Sequence, residues 1–184
     1  MKHFVLLCSI AFLAFACSTK EDTLFEELPA TETGIDFVNR SLEKKEFNIF
    51  NYRNFYNGGG VAIGDVNNDG LSDLFVTSNF EDNKLYLNKG GMHFEDITKQ
   101  AGIVGKKFWS TGVTFADVNG DGWDDLYLTQ RWGRNMLLIN NHDGTMTDQA
   151  GPMGLDVKDF CNCSLFADFD NDGDQDVFIG RSLE

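Results

Sequence analysis

From Tyr56 onward the apolar positions fall into short runs divided by polar, Gly-rich stretches. Val61-Ala62-Ile63, Leu74-Phe75-Val76-Thr77, Lys84-Leu85-Tyr86-Leu87 and His93-Phe94-Glu95-Asp96-Ile97 read as four β-strands. The first is expected to be short and buried, and the fourth alternates in part. Asn88-Lys89-Gly90-Gly91 and Asn141-His142-Asp143-Gly144 carry the Asn, Asp and Gly of tight hairpin turns.

The pattern then recurs. Gly60-Val61-Ala62-Ile63-Gly64-Asp65 aligns with Gly112-Val113-Thr114-Phe115-Ala116-Asp117, an offset of 117 − 65 = 52. The same offset lays Leu85-Tyr86-Leu87-Asn88 on Leu137-Leu138-Ile139-Asn140, and Asp96 on Asp148. A third copy begins Ser164-Leu165-Phe166-Ala167-Asp168, at 168 − 117 = 51. One offset held across a whole unit is hard to obtain by chance. A period near 50 with four antiparallel strands per unit predicts an all-β protein built of β-propeller blades. The units are about 56–107, 108–159 and a partial 160–184.

Between the first and second strands of each unit lies an acidic loop. The three are Asp65-Val66-Asn67-Asn68-Asp69-Gly70-Leu71-Ser72-Asp73, Asp117-Val118-Asn119-Gly120-Asp121-Gly122-Trp123-Asp124-Asp125 and Asp168-Phe169-Asp170-Asn171-Asp172-Gly173-Asp174-Gln175-Asp176. Side-chain oxygens stand at loop positions 1, 3, 5 and 9, and a backbone carbonyl is expected from position 7, at Leu71, Trp123 and Asp174. Hard oxygens in that number suit Ca²⁺, which takes 6–8, better than octahedral Mg²⁺. Gly at position 6 lets the chain turn around the ion, and carboxylates this close repel one another without a cation. An EF-hand begins alike but needs a bidentate Glu at position 12 and flanking helices. Position 12 is Val76, Leu128 or Ile179, each in a strand-like run. Loop three carries five Asp. Its charge count predicts the tightest site in a full-length protein, and its half blade predicts the weakest site in the 184-residue piece.

Ahead of the repeats, residues 34–55 are mixed and are expected to form a lead-in strand and an irregular segment. Residues 17–33 read as an acidic tether, and residues 1–16 as a signal peptide. Phe4 to Ala16 is too short an apolar run to span a bilayer. It ends Leu13-Ala14-Phe15-Ala16-Cys17, resembling a lipobox with Cys17 as the acylated residue, although Leu stands four rather than three positions before the Cys. The alternative is a plain secretory signal. Lys20-Glu21-Asp22 resembles the surface-export signal of lipoproteins in one phylum of Gram-negative bacteria, and otherwise reads as a solvated tether.

Composition narrows the function. A net charge of −14 argues against nucleic acid, whose phosphates require Lys and Arg. Gly-x-Ser-x-Gly, His-Glu-x-x-His and a phosphate-cradling Gly loop are all missing from the sequence, so no catalytic residues are assigned. Gly58-Gly59-Gly60 precedes a strand and reads as permitting a close turn. Cys161 and Cys163 align with Ser110 and Gly112 at a strand entrance, which favours packing over a redox or metal pair. His93 and His142 have no counterpart in the other unit. Trp109 and Trp123 read as packing. Trp132, beside Arg131 in an expected loop, is either blade packing or a contact for a sugar or peptide.

Phe55-Tyr56-Asn57-Gly58-Gly59-Gly60-Val61-Ala62-Ile63-Gly64-Asp65, Asn83-Lys84-Leu85-Tyr86-Leu87-Asn88 and Phe94-Glu95-Asp96-Ile97-Thr98 carry a resemblance to the FG-GAP/VCBS repeat, the calcium-loop blade also seen in integrin propellers. The wider pattern resembles bacterial VCBS-repeat lipoproteins of ASPIC/UnbV type. The resemblance implies a propeller, usually of seven blades, with Ca²⁺ in the strand-joining loops and a role in adhesion or ligand binding. Two and a half units cannot close a ring, so the sequence is expected to be part of a longer protein. The expectation is a surface-exposed outer-membrane lipoprotein that binds an extracellular protein or glycan and meets the membrane only through its lipid. A secreted or periplasmic location is the alternative. The other functional reading is a non-catalytic repeat domain of a secreted or surface enzyme acting on polysaccharide or another extracellular polymer.

The anchor is testable. Cys17→Ala should abolish incorporation of labelled acyl chains and leave the protein soluble or unprocessed. Persistent membrane attachment of that variant rejects lipidation at Cys17.

Overall fold

The computed structural model describes residues 23–104 and 109–182. The segment 1–16 expected to be a signal peptide, Cys17 and Lys20-Glu21-Asp22 lie outside the described residues. Ten strands account for nearly all the regular structure. The first sheet holds β1 (Val61–Gly64), β2 (Asp73–Val76), β3 (Lys84–Asn88) and β4 (Phe94–Asp96) in the order β1-β2-β3-β4. The second repeats it with β5 (Ser110–Ala116), β6 (Asp125–Gln130), β7 (Met136–Asn140) and β8 (Met146–Asp148). β9 (Cys161–Ala167) and β10 (Asp176–Arg181) form a third, two-stranded sheet. Every pairing is antiparallel, so each sheet is a simple meander.

Strand polarity sorts the connections to two ends. Gly64 pairs with Asp73 and Val61 with Val76, so the acidic loop closes one end of the sheet. The hairpin between β3 and β4, closed by Lys89 N–H donating to the His93 carbonyl at 2.7 Å, lies at that same end. The β2–β3 loop lies at the other. Asn83 shapes it by accepting the Ser78 N–H at 2.8 Å, and Asn135 does the same for Gln130 at 2.9 Å in the second sheet.

The core sits between sheets, which is why β6 has no alternation. Leu126 and Leu128 face the first sheet and pack with Phe75, Leu85 and Ile97. Tyr127 and Leu137 face the other way, against Phe166 and Ile179. A strand covered on both faces loses the alternation of buried and exposed positions, so Leu126, Tyr127 and Leu128 stand in an unbroken run and all six residues are buried. The innermost strands approach closely. A Cβ on Gly60 would lie 2.9 Å from the Thr111 carbonyl oxygen, and one on Gly112 would lie 2.8 Å from that of Asn162. Gly60 therefore serves strand-to-strand approach rather than the turn its Gly-rich setting predicts.

Two further expectations are corrected. β1 is not buried: Val61 is 64% exposed and Ile63 67%. Their counterparts Val113 and Phe115 pack on the core between the first and second sheets, whereas no described residue covers that face of β1. Phe178, equivalent to the buried Tyr127, is likewise 62% exposed. Residues 34–55 form no lead-in strand. One helical turn, α1 (Ala30–Thr33), ends at Gly34, and the following chain is held by side chains. Tyr86 donates its hydroxyl to Asp36 Oδ1 at 2.9 Å, and Asn39 Oδ1 accepts the Asn79 N–H at 3.1 Å. Such bonds anchor an extended segment without a backbone ladder.

The inter-sheet core predicts an asymmetry. Leu126→Ala should cost about 3–5 kcal/mol of unfolding free energy, through lost burial and a residual cavity. Val61→Ala should cost under about 0.5 kcal/mol. Urea denaturation of both variants measures this, and equal costs would contradict the packing described.

Candidate metal centres in the strand-joining loops

Each acidic loop is organised by its own carboxylates. Asp65 Oδ2 accepts the Gly70 N–H at 2.8 Å, and Asp69 Oδ1 accepts that of Leu71 at 2.8 Å. Loop two repeats these bonds, with Asp117 accepting Gly122 at 2.9 Å and Asp121 accepting Trp123 at 2.9 Å. In loop three Asp168 accepts Gly173 at 3.0 Å and Asp172 accepts Asp174 at 3.1 Å. The glycines at position 6 have φ of 82°, 85° and 97°, a left-handed conformation that an L side chain adopts only under strain. One backbone shape thus recurs three times.

Position 9 does more than its spacing predicts. Asp73 is fully buried. Its Oδ2 accepts the Val66 N–H at 2.9 Å and its Oδ1 that of Asn88 at 2.7 Å, tying the loop to the start of the hairpin. Asp125, also fully buried, accepts Val118 at 3.2 Å and Asn140 at 2.8 Å. Burial pushes both carboxyls above the usual carboxylate range, against the opposing pull of those amides. Asp176 keeps one such bond, from Phe169 at 2.9 Å.

Position 3 separates the loops chemically. Asn67 donates its amide to Asp69 Oδ2 at 2.9 Å, and Asn119 donates to Asp121 Oδ2 at 2.7 Å. The Asn67 amide, followed by the Leu71 N–H, holds the Asp69 carboxyl below its ordinary range. Burial works to raise Asp121, but the Trp123 amide, Asn119 and His142 hold it low. In loop three position 3 is Asp170, which has no proton to donate. Asp168, Asp170 and Asp176 each turn a carboxylate oxygen into one cluster, all within 4.8 Å of one another. Among the described residues this is the one group of three or more acidic, His or Cys side chains arranged to hold a metal ion. The Asp172 carboxylate beside it raises the Asp174 carboxyl, whose protonated form would donate a hydrogen bond to it, as expected where acids crowd.

Some participants were invisible to motif spacing. Asn140 donates to the Val66 carbonyl at 2.8 Å and to the Asp124 carbonyl at 3.2 Å, joining the first two loops. Asp124, at position 8, accepts the Asp65 N–H at 2.9 Å, and Asn68 donates to the Gly122 carbonyl at 3.0 Å. The recurrence of Asn88 as Asn140 at the repeat offset was the available signal. His142 stacks on Trp123 with centroids 4.7 Å apart and lies 3.0 Å from Asp121, while His93 Nδ1 meets the Glu32 carbonyl oxygen at 2.6 Å. Cys161 is buried and Cys163 exposed, and both are free thiols.

Meander sheets packed face to face, each with an acidic loop joining its first two strands, define β-propeller blades. The chain belongs to the FG-GAP-like repeat family, whose pattern matches residues 65–128 and 117–179. Each match runs from one acidic loop through the next, so the loops set the register of the repeat. The chain is similar to cartilage acidic protein 1 of Xenopus tropicalis, 31% identical over 131 residues that cover 70% of this chain and 20% of that protein. The Homo sapiens protein of the same name is 29% identical over 129 residues, covering 68% and 20%. Integrin alpha-4 of Xenopus laevis is 25% identical over 149 residues, covering 70% and 14%. The chain spans about a fifth of the length of the cartilage acidic proteins it matches.

Structural and cation-facing acids should separate in mutants. Asp73→Asn leaves one of two buried amides facing a donor, and should cost about 1–3 kcal/mol without any metal. Asp69→Asn, exposed at the loop rim, should leave metal-free melting nearly unchanged. Equal effects in thermal melts with chelator present would remove the structural role assigned to Asp73.

Proposed function

We propose that this chain is a calcium-binding module of FG-GAP blades that works outside the cytoplasm by binding a partner, and that it is not a catalyst. The observation that carries the reading is the convergence of Asp168, Asp170 and Asp176 within 4.8 Å. Three carboxylates that close lack the side-chain amide donor that Asn67 and Asn119 supply in the other loops, and a hard divalent cation is the species that would relieve them. Asp168, Asp170, Asp172 and Asp176 would hold it through side chains, and Asp174 through its carbonyl. Asp65, Asn67, Asp69, Asp73 and the Leu71 carbonyl would serve loop one. Asp117, Asn119, Asp121, Asp125 and the Trp123 carbonyl would serve loop two. An all-oxygen donor set on a backbone already folded into a turn fits Ca²⁺. Among the described residues no helix is long and apolar enough to cross a membrane, and the lipobox-like run before Cys17 would allow display through a lipid on that residue. The partner is an extracellular protein or a glycan.

Calcium should act as a native-state ligand, so chelator lowers the melting temperature and added Ca²⁺ restores it. The gain is about 2.7 kcal/mol at a hundredfold excess over the dissociation constant. Mg²⁺ should restore less, since it demands a strict octahedron. Asp170→Ala should shrink the calcium gain without changing the metal-free melt, because Asp170 is exposed and holds no backbone amide of the loop. Melting that is flat across a wide calcium titration would sink the metal assignment.

A further inference from the structure

The end of the blades opposite the acidic loops carries a second feature. Phe47, Tyr52 and Phe55, from the segment before the first blade, pack there with Phe80, Trp109 and Trp132. Trp132 is gripped from three sides. Its ring centroid lies 5.0 Å from Phe47, 5.0 Å from Tyr52 and 5.1 Å from Trp109, at interplanar angles of 78°, 65° and 84°. Trp109 is buried by this packing, yet Trp132 remains 41% exposed. Large aromatic rings held this firmly lose little freedom when a ligand arrives.

Trp132 also divides two hollows. One, of about 430 Å³, is lined by Glu46, Phe47, Asn51, Tyr52 and Trp132. The other, of about 550 Å³, runs past Trp132 to Arg134, Asn135, Asp156 and Lys158. Both lie within the range of small-ligand sites, roughly 300–1,000 Å³. Resting on the reading of the chain as a binding module, we propose that this end binds a neutral oligosaccharide that straddles Trp132. A sugar ring has one face of C–H bonds and a rim of hydroxyls. The exposed indole receives the face, and the carboxylates, amide and cations on either side receive the rim. Two hollows across one ring suit a chain of sugars better than a single residue.

Charge selects a neutral polymer. Arg134 and Asp156 already form an ion pair, and the second hollow balances Arg134 and Lys158 against Asp148 and Asp156. The first hollow adds Glu46. With the chain at −14 overall, a polyanion approaches against the field of the whole molecule.

The test is affinity electrophoresis of the intact protein in gels holding mixed-linkage β-glucan, xylan, galactomannan or polygalacturonate. At least one neutral polymer should retard the protein, with tryptophan fluorescence changing on binding. Trp132→Ala should weaken that binding at least about tenfold, and Trp132→Phe should retain part of it. Glu46→Ala and Lys158→Ala change exposed rim residues, so they report on the ligand without disturbing the aromatic cluster. Each should weaken binding several-fold and leave the melting temperature in place. No retardation by any neutral polymer, retardation by polygalacturonate alone, or binding indifferent to all these variants overturns the proposal. Calcium-dependent melting of the same samples keeps the two readings apart. Glycan binding without a calcium response would sink the metal assignment alone, and a calcium response without glycan binding would sink this proposal alone.

Discussion

A buried carboxylate that bridges two backbone amides is the constraint on which each full blade depends. Asp73 takes one N–H from its own loop, at Val66, and one from the hairpin start, at Asn88. Asp125 repeats the arrangement with Val118 and Asn140. Burial of a charge is costly unless hydrogen bonds meet it, and here both oxygens are met. The loop's turn is therefore fixed by its own hydrogen bonds. A cation bound there as proposed would meet a cluster so shaped, and little of its binding energy would go to ordering the chain.

Antiparallel order distributes the chemistry. Because β1 runs opposite to β2, the loop between them and the β3–β4 hairpin share one end, while the β2–β3 loops share the other. Acidic loops gather at the first end and aromatic rings at the second. Cations bound as proposed would sit at one end and leave the surface of the other free. The sheets between transmit position through a close-packed core, whose side chains from Phe75 and Leu85 to Leu126 and Leu128 leave little room for sliding.

Neighbouring loops are not equivalent. Asp65 N–H to Asp124 and Asn68 to the Gly122 carbonyl join loop one to loop two. Loop two has Gly120 where loop one has Asn68, and loop three has Gln175 where loop two has Asp124, so the same two side chains cannot make that connection again. Loop three differs by its third position, where Asp170 replaces an amide that elsewhere quiets the neighbouring acid. Small changes on one repeated backbone thus set how closely the carboxylates of each loop converge.

Much of this was legible in the order of residues. The repeat offset placed the strands of both full blades within about three residues, because short apolar runs and Asn-Gly-type turns act locally. Val76, Leu128 and Ile179 at position 12 excluded a helical calcium hand, and all three lie in strands. Tertiary structure decided the rest. Asp73 meets Asn88 across 15 residues, and Asn140 meets Val66 across 74, so no motif spacing could separate a structural acid from a cation-facing one. Val61 and Ile63 match the half-buried, core-packed Val113 and Phe115 in sequence, yet exposure depends on which sheet stands opposite. Trp132 offered packing or a ligand contact as alternatives, and the fold shows the packing, since three rings from distant segments hold it while one side stays open. Local pattern determines how a strand or turn forms, whereas burial and hydrogen-bond partners are properties of the surfaces that folding brings together.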